Sequence, residues 1–233
     1  MTAKRSALMV RGGWAGHEPV ETSDYMRGFL EREGFEVRVE DGPAVYAEPG
    51  YLPTVDLIVQ TVTKSTIEKE EFEALRAAVT AGTGFAGWHG GIIDSYRNNA
   101  DYLQLVGGQF AAHPGCDPAD RTGEQTDNYR PHTIEVTEAG RTDPIMAGIE
   151  DFTIDSEQYW VLADPYMKVL ATTTQPVRPW DPWHEPVTTP SVWKRFWGQG
   201  RIFVSTSGHH LDILQQDPIR TLTERGLLWA ARS

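Results

Sequence analysis

The sequence predicts an α/β fold in which a mostly parallel sheet is covered by helices on both faces. Three observations carry that prediction. Through the first half of the chain, short apolar runs alternate with amphipathic helical patterns, the βαβα rhythm of a parallel sheet. Two of those runs, Val55 to Val62 and Thr83 to Trp88, are almost continuously apolar, as strands covered on both faces are. The second run enters Gly84-Phe85-Ala86-Gly87-Trp88-His89-Gly90-Gly91. This reads as a sharp strand-to-helix elbow of the kind that holds a Ser or Cys nucleophile in many α/β enzymes, here with a histidine at its centre. Gly87, Gly90 and Gly91 can take backbone angles that residues with a Cβ avoid, which permits such a reversal.

Taken in order, Ala7 to Val10 is a first strand that ends at Gly12-Gly13. Thr22-Ser23-Asp24 offers caps for a helix reaching about Glu33, with Tyr25, Met26, Phe29 and Leu30 on one face, and Gly34 stops it. Phe35 to Val39 alternates as a strand, and Val55 to Val62 is the next. Ser65-Thr66 precedes a second helix through Val79, closed by Gly82 and Gly84. After the elbow strand, Asn99 to Val106 forms another helix. Asp117 to Pro131 is polar and reads as a long loop. His132 to Val136 and Met167 to Thr172 read as strands, and Thr174 to Pro190, with its five prolines, as an extended excursion. Ser191 to Trp197 and Arg201 to Ser205 flank Gly198-Gln199-Gly200, a hairpin signal. Asp217-Pro218 starts a final helix ending near Ala231. No repeat and no linker interrupts this order, so residues 1–233 are expected to form one domain.

Composition narrows the function classes. A hydrophobic fraction of 39% with eight tryptophans supports a sizeable core. The net charge of −12 argues against a nucleic-acid binder, which needs clustered Lys and Arg, and against an anionic membrane surface. The single cysteine, Cys116, excludes an intrachain disulfide and is compatible with a reducing cytoplasm. Ala7-Leu8-Met9-Val10 is too short for a signal peptide, and no apolar run approaches the ~20 residues of a membrane span. A cytoplasmic location is expected.

In open parallel sheets, ligands sit at the carboxyl ends of strands, so the strand-to-helix loops carry the candidates. Gly12-Gly13-Trp14-Ala15-Gly16-His17 follows the first strand, but Gly-x-Gly-x-x-Gly is not matched and the Gly-Lys-Ser/Thr ending is absent, so no nucleotide cofactor is expected. His17 is a metal ligand, a proton carrier or a plain helix-end residue. His89 is a base or a ligand by its place at the elbow, or a packing histidine beside Trp88. Asp94 and Arg97 would bind hydroxyls or an anion, or lie in solvent. His113, held extended before Pro114, is a ligand, a base or a loop residue. Cys116 lacks an elbow around it and reads as a spectator thiol. Glu157 is a carboxylate partner for a histidine, a metal ligand, an acid or base, or a solvated acid. Of the adjacent His209 and His210, His209 is favoured for the site because it directly follows a glycine turn. The spacings match no zinc signature, so a metal site would be assembled from distant loops. Trp193 and Trp197 are expected to pack, whereas Trp180 and Trp183 could stack on a sugar.

Several segments together resemble the ThuA-like (trehalose utilisation) family. They are Gly12 to His17, Gly84 to Gly91 with Asn98 to Tyr102, Gly107-Gly108-Gln109-Phe110-x-x-His113-Pro114-Gly115, Asp143-Pro144-Ile145-Met146-x-Gly148-Ile149-x-Asp151-Phe152, Asp155-x-Glu157-x-Tyr159, and Gly198-x-Gly200-Arg201-Ile202-Phe203 with Gly208-His209. They run in order through nearly the whole chain. The resemblance implies a flavodoxin-like three-layer α/β/α domain similar to class I glutamine amidotransferases, with a C-terminal β-hairpin added to the sheet. By position His89 replaces the relatives' elbow cysteine, which removes glutaminase chemistry for want of a thiolate. It further implies a place in carbohydrate catabolism beside a sugar dehydrogenase, acting on 3-keto-glycosides or 3-keto-disaccharides by proton abstraction, followed by elimination and hydration or by isomerisation. On that basis His89, Glu157 and His209 are the catalytic candidates. Trp14, His17, Asp94, Arg97, His113 and Tyr159 are the substrate-binding candidates, and His17, His113 and His209 the candidate ligands of a divalent metal such as zinc. The expected partners are a small carbohydrate, a sugar dehydrogenase and further copies of the chain. The alternative from another class is a catalytically silent carbohydrate-binding or partner-interaction domain on the same fold.

Overall fold

The computed structural model describes residues 4–114, 117, 119, 122 and 127–232; Cys116 lies outside the described residues. Their strands are β1 (Arg5–Gly13), β2 (Phe35–Asp41), β3 (Leu57–Thr63), β4 (Gly84–Trp88), β5 (Gly108–Ala112), β6 (Tyr129–Val136), β7 (Phe152–Glu157), β8 (Trp160–Ala163), β9 (Lys168–Gln175), β10 (Val187–Trp197) and β11 (Gly200–Ser205). The α-helices are α1 (Pro19–Arg32), α2 (Lys69–Thr80), α3 (Gly90–Ile93), α4 (Ala100–Val106), α5 (Glu138–Arg141), α6 (Leu211–Leu214) and α7 (Ile219–Ala230).

Nine strands form one sheet in the order β2-β1-β3-β4-β11-β10-β9-β6-β7, and β5 pairs with β8 apart from it. The first five are mutually parallel. Their order is the flavodoxin-like one, in which the chain reverses direction across the sheet between β1 and β3 and leaves a crevice beyond the carboxyl ends of the strands. The two faces are read directly from the alternation in β1. Ala7 and Met9 join Met26, Phe29 and Leu30 of α1 and Leu222 and Leu227 of α7 in one core, while Leu8 and Val10 join Phe72, Leu75 and Val79 of α2 in the other. Every residue of β3 and of β4 is buried. That is why both read as unbroken apolar runs rather than as alternating ones.

Several boundaries differ from the sequence reading for identifiable reasons. Helix α1 begins at Pro19 rather than at Thr22, because proline suits a first turn that has no use for its N–H. Thr22 and Ser23 lie inside the helix and return their hydroxyls to the carbonyls of Glu18 and Val20. Helix α2 is capped by Glu68, whose side chain and that of Glu71 exchange backbone hydrogen bonds, not by Ser65-Thr66. Strand β6 starts at Tyr129, so the polar stretch ends earlier than Pro131.

The antiparallel part extends further than a hairpin. β10 and β11 pair antiparallel, but β11 is also parallel to β4 and is therefore the fifth strand of the parallel set. β10, β9, β6 and β7 then continue the sheet, each antiparallel to its neighbour. β10 absorbs Pro190, and the pairing register with β9 shifts between Pro190 and Val192, as a residue without an N–H requires. β5, β7 and β8 were not read from the sequence. β7 carries Thr153, Asp155, Ser156 and Glu157, which mask its strand character. The β6–β7 pair joins the β9 ladder at Glu135 and Val136, and side chains carry the contact on, Thr173 Oγ1 donating to the Thr133 carbonyl at 2.9 Å and Gln158 Nε2 to the Thr174 carbonyl at 3.2 Å.

Candidate active site

The loops after β1, β4 and β11 bring their histidines to one cluster. After β1, the backbone N–H of Trp14 donates to the Thr63 carbonyl at 3.0 Å, and a short 3-10 turn, Ala15–His17, carries the His17 ring inward. After β4 comes the elbow. His89 itself takes φ 50°, ψ −149°, a conformation that a residue with a side chain rarely adopts. Gly87, Gly90 and Gly91 make no use of a left-handed φ. Their role is space: a Cβ on Gly91 would lie 2.7 Å from Thr61 Cα, and one on Gly90 would lie 2.4 Å from His17 Cε1. After β11, Gly208 turns the chain and His209 points inward, fully buried. Glu157, the last residue of β7, completes the group from the far side.

The nitrogen and oxygen atoms meet closely. Glu157 Oε2 lies 3.2 Å from His89 Nε2, 3.0 Å from His209 Nδ1 and 3.9 Å from His17 Nε2. His89 Nε2 and His209 Nδ1 are 3.0 Å apart, and the Tyr159 hydroxyl is 2.7 Å from His89 Nε2, with its ring stacked on the imidazole. The outer nitrogens decide the tautomers. His89 Nδ1 donates to the Thr206 carbonyl at 2.7 Å, and His209 Nε2 donates to Asp127 Oδ1 at 3.2 Å. With His17 Nδ1 donating to Thr63 Oγ1 at 2.9 Å, all three rings turn an inner nitrogen toward Glu157 Oε2. Two inner nitrogens 3.0 Å apart repel unless a proton or a cation lies between the ligands.

Charge follows from burial. Desolvation, helped by His89 and His209, pushes His17 far below the usual histidine range. Burial likewise lowers His89 against the pull of Glu157, and lowers His113. For His209 burial is outweighed by Glu157 and Asp127, and its pKa is raised. Burial would raise Glu157, but hydrogen bonds from His209 and His89 outweigh it and lower its pKa. The cluster is thus a buried carboxylate among imidazoles, of which burial disfavours the charged form of His17, His89 and His113, while Glu157 and Asp127 favour it on His209.

The ligand atoms of His17, His89, Glu157 and His209 all lie within 4.8 Å of one another. For a metal with nitrogen and oxygen ligands at ~2.0–2.1 Å, a tetrahedron has edges of about 3.4 Å and an octahedron of about 3.0 Å. The shortest separations here match those edges, and each histidine is oriented by an outer partner as metal-bound histidines are. This buried set could hold a divalent metal. It shares His17 and His209 with the set expected from sequence. His113 is not part of it, since its Nε2 faces the other oxygen of Glu157, Oε1, at 3.4 Å, whereas His89 and Glu157 are.

A cavity of about 230 Å³ opens beside the cluster, lined by Trp14, His17, Lys64, Asp94, Phe110, His113, Asn128, Glu157 and Tyr159. Five of the six substrate-binding candidates are among them. Arg97 is not: half-exposed, it grips the buried Asp94 carboxylate through Nε and through Nη2 at 2.8 Å, and so acts behind the wall. His210 stays outside the cluster, on the Gly16 carbonyl and the Tyr129 hydroxyl. Trp193 is buried. Trp180 and Trp183 do not line the cavity; Trp183 packs edge-on against Trp160. Sequence reasoning missed Lys64, Phe110 and Asn128 on the wall, and Thr63, Asp127 and Thr206 behind the histidines. Lys64 stood in a strand-end loop, the place such residues occupy, but without a histidine or glycine to mark it. Larger hollows of about 600 and 310 Å³ lie elsewhere and hold no histidine.

The ThuA (trehalose utilisation) family description matches residues 6–230. A ThuA-like protein from Parabacteroides merdae superposes with a TM-score of 0.72 at 14% identity, covering 98% of this chain and 90% of that one. One from Bacteroides uniformis gives 0.68 at 16%, covering 98% and 91%. A cytoplasmic protein from Salmonella typhimurium LT2 gives 0.63 at 13%, covering 97% and 100%. No curated protein matches by sequence. Among the described residues no helix is long and apolar enough to cross a membrane.

Proposed function

The chain belongs to the ThuA, or trehalose utilisation, family, and from that premise we propose that it is an enzyme of glycoside breakdown acting on 3-keto-glycosides or 3-keto-disaccharides. The observation that carries the proposal is the convergence of His17, His89, His209 and Glu157 on one buried point beside a cavity. An elbow with histidine in the nucleophile's place suits proton transfer rather than acyl transfer.

The cavity, about 230 Å³, is smaller than the ~300–1,000 Å³ of drug-sized sites. It suits one sugar ring, with the second sugar or aglycone toward solvent. Trp14 and Phe110 offer aromatic faces to the apolar side of the ring, and Asn128 and Asp94 offer polar groups to its hydroxyls. A 3-keto group acidifies the C2 proton. A divalent ion such as zinc held by His17, His89, Glu157 and His209 would supply an electrophile for the 3-keto oxygen. His113 stands on the cavity wall outside that set. Its Nδ1 is 3.4 Å from the Gln158 carbonyl and its Nε2 faces Glu157 Oε1, so it takes the C2 proton and Glu157 steadies the resulting imidazolium. The Tyr159 hydroxyl, 2.7 Å from His89 Nε2, would be released to donate to the enediolate oxygen once that nitrogen is engaged by the ion. The catalytic task assigned from sequence to His89, Glu157 and His209 thereby becomes one of holding and orienting, while His113 moves the proton. Expulsion of the C1 substituent completes an elimination, which water can follow; reprotonation gives an isomer instead. The substrate would come from a sugar dehydrogenase that oxidises C3.

The test is incubation with a 3-keto-disaccharide in D2O, with and without a chelator, following deuterium at C2 by NMR and products by mass. Exchange and cleavage that disappear with chelator and return with zinc are expected. Neither exchange nor cleavage in any condition overturns the reading.

A further inference from the structure

We propose that Lys64 is the acid that protonates the departing glycosidic oxygen, an inference that rests on the elimination proposed above. Lys64 follows the last residue of β3, at the switch between β1 and β3. It takes φ 52°, a left-handed conformation that glycine or asparagine fills with less steric cost. The backbone is held there: Lys64 N–H donates to the Asp94 carbonyl at 2.8 Å and Ser65 N–H to the Ser95 carbonyl at 2.8 Å. A residue kept in a disfavoured conformation by its neighbours has its side chain aimed by them.

The aim is at the cavity. Lys64 is the one lysine or arginine lining it among the described residues, and its ammonium sits 4.1 Å from the centre of the Trp14 ring. The chain has 33 acidic residues to 21 basic ones, and Lys69, Lys168 and Lys194 each face a carboxylate. Among the described residues no carboxylate lies within ion-pair distance of Lys64. Its N–H donors are therefore available to a bound molecule. Of the cavity's lining, His17 and Glu157 are buried and form the floor on the side of the cluster, whereas Lys64 is exposed at the rim. A sugar ring with its keto end on the floor directs its glycosidic oxygen toward that rim.

The step balances. His113 removes the C2 proton, and the electron pair left behind becomes the C1–C2 double bond as the C1–O bond breaks. The bonding pair leaves on the aglycone oxygen, which takes a proton from the Lys64 ammonium. The products are an unsaturated 3-keto sugar and a neutral alcohol, and the amine regains its proton from water.

The experiment compares Lys64→Met and Lys64→Arg with the wild type on a methyl and a 4-nitrophenyl 3-keto-glucoside, reading cleavage and, in D2O, exchange at C2. Both variants are expected to exchange C2 and to cleave the nitrophenyl substrate within about 5-fold of the wild type, since that leaving group needs no acid. Cleavage of the methyl substrate should fall by about 10²-fold or more, the scale of general acid catalysis. Arginine keeps the charge but cannot release the proton, so full rescue by Lys64→Arg overturns the proposal. So does an equal loss on both substrates, or no loss on either. A wild type that exchanges no C2 proton overturns the functional reading, and this inference with it.

Discussion

Replacing Gly90 by alanine separates the site from the fold. The added methyl would lie 2.4 Å from His17 Cε1, 2.8 Å from His17 Nδ1 and 3.2 Å from the Tyr159 hydroxyl. Carbon contacts relax at ~3.5–4.0 Å, so the His17 ring must withdraw by about 1 Å. Metal–ligand distances tolerate about 0.2 Å, so His17 leaves the converging set. The backbone, by contrast, accepts the change, because Gly90 sits in α3 without a left-handed φ. Alanine's helix preference of about 1 kcal/mol offsets much of a crowding cost of about 1–3 kcal/mol, and the net change in stability stays within about 2 kcal/mol. Affinity for zinc should fall at least about 10²-fold, or about 2.7 kcal/mol. The assay is competition titration of zinc against a chromophoric chelator, with a thermal melt on the same sample. In a His17→Ala background the methyl has no ring to displace, and Gly90→Ala should then cost nothing further. Unchanged zinc affinity in the single variant, or an equal additional loss in the double, refutes the reasoning.

Other consequences can be measured directly. Zinc at about 100 times its Kd should stabilise the wild type by about 2.7 kcal/mol in a thermal melt, and His89→Ala should abolish that increment. His132 is a separate pH probe. Burial, only partly opposed by its hydrogen bond to the Arg130 carbonyl, holds it at about 4 against 6.5 when unfolded. The unfolded chain therefore binds one more proton between those values, so the neutral ring's contribution is present above pH 6.5 and is lost as pH falls toward 4, about 3 kcal/mol in all. His132→Gln should remove one proton's worth of slope from stability against pH in that window, read by urea unfolding. Asp143 accepts from Lys168 at 2.9 Å, Lys194 at 2.6 Å and the Ile145 N–H at 3.2 Å, tying the start of the 144–146 turn to β9 and β10. Asp143→Ala should lower the unfolding free energy by about 2–3 kcal/mol, seen as a reduced urea midpoint.

The parallel core was legible because its chemistry is local. Val55 to Val62 and Thr83 to Trp88 are apolar on both faces, and the glycines around His89 announce a turn whatever surrounds them. His209 was separable from His210 because Gly208 precedes it. What could not be read is what depends on distant partners. β7 ends on a glutamate whose burial is explained only by histidines from three other loops, so the residues around Glu157 left it open between a site carboxylate and a solvated acid, and only the family resemblance placed it in the site. Whether a histidine ligates depends on the position of its inner nitrogen, which is why His113 was placed in the metal set and His89 was not. The elbow glycines show a related limit: a pattern shows that Cβ atoms are missing, but not whether torsion or clearance demands it. Lys64, Asp127 and Asn128 carry no pattern of their own and become visible only once the chain is folded.

β11 completes the parallel set although it lies near the end of the chain, and this orders events during synthesis. His17 emerges from the ribosome long before His209, and until the final strand slots in beside β4 the carboxylate of Glu157 has only part of its surroundings. Any ion that depends on all four side chains must wait until His209 has been made. Loading would thus report that β11 has docked, and a chain stopped before His209 would remain empty.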